Sequence, residues 1–188
     1  MNAYERLLDV ALELFVDRGY DAVGTQEIVD RAGVTKPTLY HHFGNKLGIA
    51  RALAERIESS LFETLGDRTA YKRDMPLDLE RLIEGILHYA ESHPRETQLL
   101  VGATNGPGKS ESRQAMLVVW SRLTGEVERF FLSAAADHGN MAGREREYTV
   151  SFLGIVFAYA GLIMDGTSLD RASLAYRITH QFSHGIYS

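Results

Sequence analysis

TQEIVDRAGVTKPTLYHHFGNK, residues 25–46, decides how the rest of the chain is read. Ile28, Val29 and Ala32 give its first half one apolar side at helical spacing, with Thr25 as the N-cap. Gly33 follows, where the helix end needs a positive φ, and Val34 acts as an apolar staple in the turn. Thr35 can cap a second helix over residues 36–42, and Pro37 is tolerated because first-turn N–H groups have no intrahelical partner. Leu39 and Phe43, four apart, face inward, which leaves Lys36, Thr38, Tyr40, His41 and His42 around the rest. Two short helices joined by a tight turn, the second polar, basic and aromatic, form the layout of a helix-turn-helix. In that layout the second helix enters the DNA major groove.

The charge pattern supports this layout, although the net charge of -5 argues against nucleic acid at face value. No Asp or Glu occurs between Asp30 and Glu55, whereas Arg31, Lys36, Lys46 and Arg51 all do, with His41 and His42 among them. A cationic patch on an acidic body suits one defined DNA-facing side. With 188 residues, 45% hydrophobic and 24% charged, the chain has room for one good core or two small ones. It has no cysteine, so disulfides and thiolate metal sites are excluded and the cytoplasm is the natural compartment. With charges throughout residues 1–15, no signal peptide is expected there.

Outward from the motif, every segment reads as helix. Leu7, Leu8, Ala11, Leu14 and Phe15 make residues 4–18 amphipathic, with Gly19 as the cap and Tyr20 continuing the apolar contact. Asn45 caps a longer helix that begins at Lys46 and runs through Leu53, Ile57 and Leu61. Residues 66–76 break the periodicity and read as a loop. Helical spacing returns over residues 77–92, from Pro94 to about residue 103, and over 113–136. Residues 150–164 are apolar nearly all round but short of the roughly 20 needed for a membrane span, so a buried helix is expected and no membrane partner. Leu174, Ile178, Phe182 and Ile186 mark a last helix over 171–187. No alternating strand run and no internal repeat occurs, so the class is all-α.

Ala11, Leu14, Phe15, Gly19, Tyr20, Ile28, Ala32, Gly33, Val34, Leu39, Tyr40, Phe43 and Lys46 stand at the spacing of one family. Over residues 7–47 the chain closely resembles the tetracycline-repressor (TetR) family of bacterial transcription regulators. It departs from the family at Gly24, where a small hydroxyl residue is usual, at Val29, more often alanine, and at Leu47-Gly48-Ile49, which replaces an acidic pair and leucine. The resemblance implies a helix-turn-helix DNA-binding domain over 1–47 and a larger helical domain over 48–188 that binds a ligand and dimerises through its last two helices. It further implies a homodimer on a pseudo-palindromic double-stranded operator, released by a small-molecule effector, and a repressor.

Phosphate contact needs cations and hydrogen-bond donors, and sequence readout needs groups that reach base edges. Lys36 can donate to guanine O6 and N7, and Pro37 with the Thr38 methyl can meet a thymine methyl. Tyr40 and His42 offer further donors. Lys46 lies at a helix N-terminus, and Thr25 with Gln26 at the start of the second helix suits phosphate on the other strand. Alone, Tyr40 could pack with its hydroxyl in solvent, His41 could be an idle surface histidine, and Lys46 a solvated charge. Their conjunction in a carboxylate-free window favours DNA.

The second domain should hold the effector pocket, with Tyr89, Leu100, Met116, Trp120 and Tyr159 as candidate lining, though any single one could simply be core. GPGKS at 106–110 fails as a phosphate loop, because Ala103 stands where glycine is needed. His180 and His184 share a helix face, but two ligands without a third do not make a metal site. No nucleophile motif or catalytic constellation occurs, so no cofactor, metal or enzyme activity is expected. Two other readings remain: control by a protein partner instead of a small ligand, and an enzyme built on a helical bundle.

Overall fold

The computed structural model describes residues 2–106 and 108–185. It is all-α, with no strand among those residues. In chain order the helices are α1 (Ala3–Arg18), α2 (Thr25–Ala32), α3 (Lys36–Phe43), α4 (Lys46–Leu65), α5 (Met75–Ser92), α6 (Pro94–Thr104), α7 (Glu111–Ala135), α8 (Glu145–Met164) and α9 (Leu174–His184). Short 3₁₀ turns occupy Gly66–Thr69 and Gly139–Met141.

Several local expectations shift. Thr25 is the first helical residue of α2 and Gly24 is its N-cap, with no side-chain cap bond. Glycine there leaves the α2 backbone amides without the oxygen that a hydroxyl residue would supply. Thr35 is the cap of α3 by position, but its hydroxyl meets the Thr38 hydroxyl at 2.9 Å instead of a backbone amide. Pro76 belongs to the first turn of α5, not to the preceding loop, because Asp74 caps the Leu77 amide one turn ahead. α9 begins at Leu174, not at 171, since Asp170 accepts from the Ala172 amide and the Ser173 hydroxyl and holds residues 170–173 in a turn. Ile186 and Tyr187, expected in that last helix, lie outside the described residues, as does Pro107 of the GPGKS stretch.

The chain forms two compact units, Met1–Ser59 with Arg95–Trp120, and Ser60–Pro94 with Ser121–Ser188, so two boundaries fall inside long helices, α4 and α7, and the third at the first residue of α6. In the first unit α1, α2 and α3 pack mutually around Leu7, Leu8, Phe15, Ile28 and Leu39, joined by Ile49 and Leu53 of α4. Burying a side chain of this kind is worth about 1.5–3 kcal/mol relative to exposure, which is what makes so small a helix trio rigid. Arg56 of α4 bridges Asp9 of α1 at 2.7 Å and Glu96 of α6 at 3.2 Å.

In the second unit α5 packs against both α8 and α9. Phe131, Phe152 and Phe182 form an aromatic cluster with ring centroids 5.5–5.9 Å apart. The Asp78 carboxylate is buried and accepts from the Lys72 and Asp74 amides at 2.6 and 3.3 Å, fastening the loop before α5. α8 corrects two expectations. It runs 20 residues, long and apolar enough by length and composition to cross a membrane. It is also buried on one side only: Phe152, Leu153, Val156 and Ala160 face the core, while Val150 is 64% and Leu162 42% exposed.

Candidate nucleic-acid interface

Gly33 turns the chain with φ 63° and ψ 41°, the left-handed conformation that ends α2 without a Cβ penalty, and its N–H and that of Val34 close on α2 carbonyls. α3 follows at once and is anchored by one fully buried side chain, Leu39. Phe43 stacks on Tyr4 of α1, centroids 4.8 Å apart, and His42 meets the same Tyr4 ring edge-on at 5.8 Å. The remaining faces of α3 are open: Lys36, Pro37, Tyr40, His41 and His42 are exposed, Tyr40 at 47%, and Thr38 is half-buried. One short helix therefore presents an ammonium, a phenol and two imidazoles on a rigid base.

The charges around it are unequal. Arg31 pairs with Glu13 at 2.7 Å, and Arg18 pairs with Glu27, so these cations are partly neutralised. Lys36 has no ion pair among the described residues. Gln26 donates to Asp30 one turn on, at 2.6 Å, and Thr25 is half-buried at the start of α2.

Lys46 is the least expected. Its ammonium donates to the Tyr20 carbonyl at 3.0 Å and the Val23 carbonyl at 3.1 Å, and sits 4.1 Å above the Tyr20 ring. It pins the start of α4 to the turn between α1 and α2, with one N–H left for an outside acceptor. Tyr20 in turn donates its hydroxyl to Glu111, the first residue of α7, at 2.5 Å. Burial, then the Glu111 hydrogen bond and charge, push the Tyr20 phenol well above its ordinary range. Gly48 completes the joint. A Cβ on it would stand 1.8 Å from the Phe43 carbonyl oxygen, so only glycine lets α4 start this close to the end of α3.

Neither Tyr20 nor Glu111 was among the expected functional residues. Tyr20 is visible in the motif, but its partner is 91 residues away and nothing local marks it.

The candidate pocket residues divide between the two units. Tyr89 and Tyr159 belong to the second unit and Leu100, Met116 and Trp120 to the first. Tyr89 is buried, its hydroxyl 3.0 Å from that of Ser60 and its ring stacked on His93. Leu100 and Met116 are buried, Trp120 is half-buried, and Tyr159 reaches Gln181 at 3.5 Å. None of the five lines any of three cavities found within the units. Two are in the first unit: about 630 Å³ between the α1–α2 turn and α6, walled by Phe15, Tyr20 and Leu99, and about 400 Å³ between α4 and α7. The third, about 310 Å³, lies between α5 and the start of α9.

Comparison with known proteins meets this geometry at the same residues. The profile of the bacterial regulatory proteins of the tetR family matches residues 7–53, which hold α1 to α3 and the first turns of α4. The HTH-type transcriptional activator FasR of Mycolicibacterium smegmatis (strain ATCC 700084 / mc(2)155) is 37% identical over 95 residues, 50% of this chain but only 43% of FasR. The HTH-type transcriptional regulator YvkB of Bacillus subtilis (strain 168) is 29% identical over 165 residues, covering 82% of this chain and 79% of YvkB. In fold, the chain superposes on the transcriptional regulator FadR from Bacillus subtilis in complex with stearoyl-CoA, TM-score 0.76 at 17% identity, over 98% of this chain and 100% of the other. Residues 7–53 thus match the tetR family of bacterial regulatory proteins.

Proposed function

We propose that this chain is a homodimeric repressor whose α3 reads a pseudo-palindromic operator and whose release is controlled by a small molecule. The observation that carries the DNA reading is α3 itself: one buried anchor, Leu39, with Lys36, Tyr40, His41 and His42 all exposed. Lys36, Pro37, Thr38, Tyr40 and His42 are assigned to base edges and neighbouring phosphates, and Thr25, Gln26 and Lys46 to phosphate. Residues 1–47 act as the DNA-binding domain and 48–188 as the regulatory and dimerisation domain, working in the cytoplasm. Two copies pair through α8 and α9 and set their recognition helices about 34–36 Å apart, one turn of B-DNA.

An effector that binds better to a dimer of the wrong spacing lowers DNA affinity by the factor by which DNA lowers its own. Cavities of about 400 and 630 Å³ support a small-molecule effector, being of the size such ligands occupy. The Bacillus subtilis FadR, of the same fold, was solved with stearoyl-CoA. Control by a protein partner is the second reading, and the burial of Tyr89, Leu100 and Met116, none of which lines these cavities, favours it.

Genome-wide selection of bound DNA tests the central claim: recovered fragments should share one inverted repeat. Fragments without a shared repeat refute it. Transcription from the recovered promoter should rise when the gene is deleted, and a fall would make the chain an activator, as FasR is named.

A further inference from the structure

His180 and His184 stand one turn apart on α9, both exposed, with ring centroids 4.6 Å apart. Tyr176 continues the row a turn earlier, 6.0 Å from His180. The other side of α9 is buried through Leu174, Ile178 and Thr179, so the histidine row does not serve the core. No hydrogen bond or ion pair occupies either imidazole among the described residues.

Histidines at this spacing on one helix face can reach a single metal ion. With Zn–N bonds of about 2.0–2.1 Å, two imidazoles on a tetrahedral ion have centres about 5 Å apart. The rings are therefore already close to chelating separation. Two nitrogens leave such an ion half coordinated, and no third His, Cys, Asp or Glu among the described residues completes the group. A second copy of the chain would bring the same pair. α8 and α9 pack against each other, and α8 leaves Val150 and Leu162 exposed, apolar surface that a second copy would cover.

We propose that α9 carries half of a divalent transition-metal site, for an ion that accepts imidazole nitrogen such as zinc. The same two histidines of a second copy complete it as a tetrahedral four-nitrogen centre. The inference rests on the dimer proposed above. Bound there, the ion would lock the dimer by four bonds that neither chain makes alone.

The test uses the full, untagged chain stripped with a chelator. Equilibrium dialysis against zinc chloride should leave half an ion per chain, and cobalt(II) should give the intense visible absorption of tetrahedral coordination. His180→Ala and His184→Ala should each abolish retention, while Gln181→Ala retains it. One ion per chain, a weak octahedral cobalt spectrum, or retention that survives His180→Ala would each overturn the shared site. Sedimentation separates this proposal from the dimer. A dimer without metal that takes up no zinc refutes the site and keeps the dimer. A monomer that dimerises on adding zinc supports the site and refutes a metal-independent dimer. A monomer with and without zinc refutes both.

Discussion

Replacing Tyr20 by phenylalanine removes one oxygen and leaves the ring in place. The contact with Phe15, centroids 5.0 Å apart, remains, and so does a ring face beneath the Lys46 ammonium. What is lost is the 2.5 Å hydrogen bond to the Glu111 carboxylate, in a partly buried setting. Hydrogen bonds to charged groups contribute about 1.5–3 kcal/mol net, and Tyr20→Phe should cost that much in the first unit at neutral pH. The pH dependence carries a second signature. The phenol's ordinary value is 10.0, and burial, then Glu111, hold it higher in the folded chain. The folded chain keeps a proton that the unfolded chain releases, so this stabilisation is complete below pH 10 and is lost as pH rises from 10 towards the folded value. Phenylalanine has no such group, so the stability gap between the two proteins should narrow above pH 10. Urea unfolding followed by fluorescence reads this directly, because the single tryptophan, Trp120, belongs to the same unit. A gap below about 0.5 kcal/mol at neutral pH, the ordinary scatter of surface substitutions, would refute the link between Tyr20 and α7. A gap that stays constant or widens at high pH would refute the charge argument.

Other substitutions address the DNA contacts. Lys36→Ala should cost about 1–3 kcal/mol at the operator and little on random DNA if Lys36 reads guanine; equal losses in a binding titration would make it a phosphate ligand. Lys46→Ala should lower the slope of log affinity against log salt by about one and also destabilise the first unit, since two carbonyls lose their donor. Destabilisation with an unchanged slope would leave Lys46 a structural pin alone. Gly48→Ala gains up to about 1 kcal/mol of helix propensity, yet it should lower stability and operator affinity together, because the new Cβ collides with the Phe43 carbonyl. A variant as stable as the parent would show that the α3–α4 joint is loose.

Much of the fold was legible in the chain because it is written locally. A helix needs apolar residues at its own period, and a cap needs one polar or glycine residue beside it; α1 to α4 carry both, and their limits are met to within a residue or two. The exposed face of α3 was legible for the same reason: once Leu39 and Phe43 point inward, the other side chains have nowhere else to go. The ends of α5 and α9 were less so, since capping by Asp74 and the Asp170 turn moved them against the apolar pattern.

By itself the sequence determined the class, the helix-turn-helix and the cationic window around it, all properties of residues within a few turns of one another. Only the tertiary structure decided where the charges are spent: Arg31 goes to Glu13, and Lys46 goes to two carbonyls of the α1–α2 turn. It also decided that Tyr20 holds Glu111 from the far side of the chain, and that Phe15, Tyr20 and Leu99 wall a cavity. These outcomes depend on which helix faces meet, a matter of packing between segments far apart in sequence, and no local period encodes it.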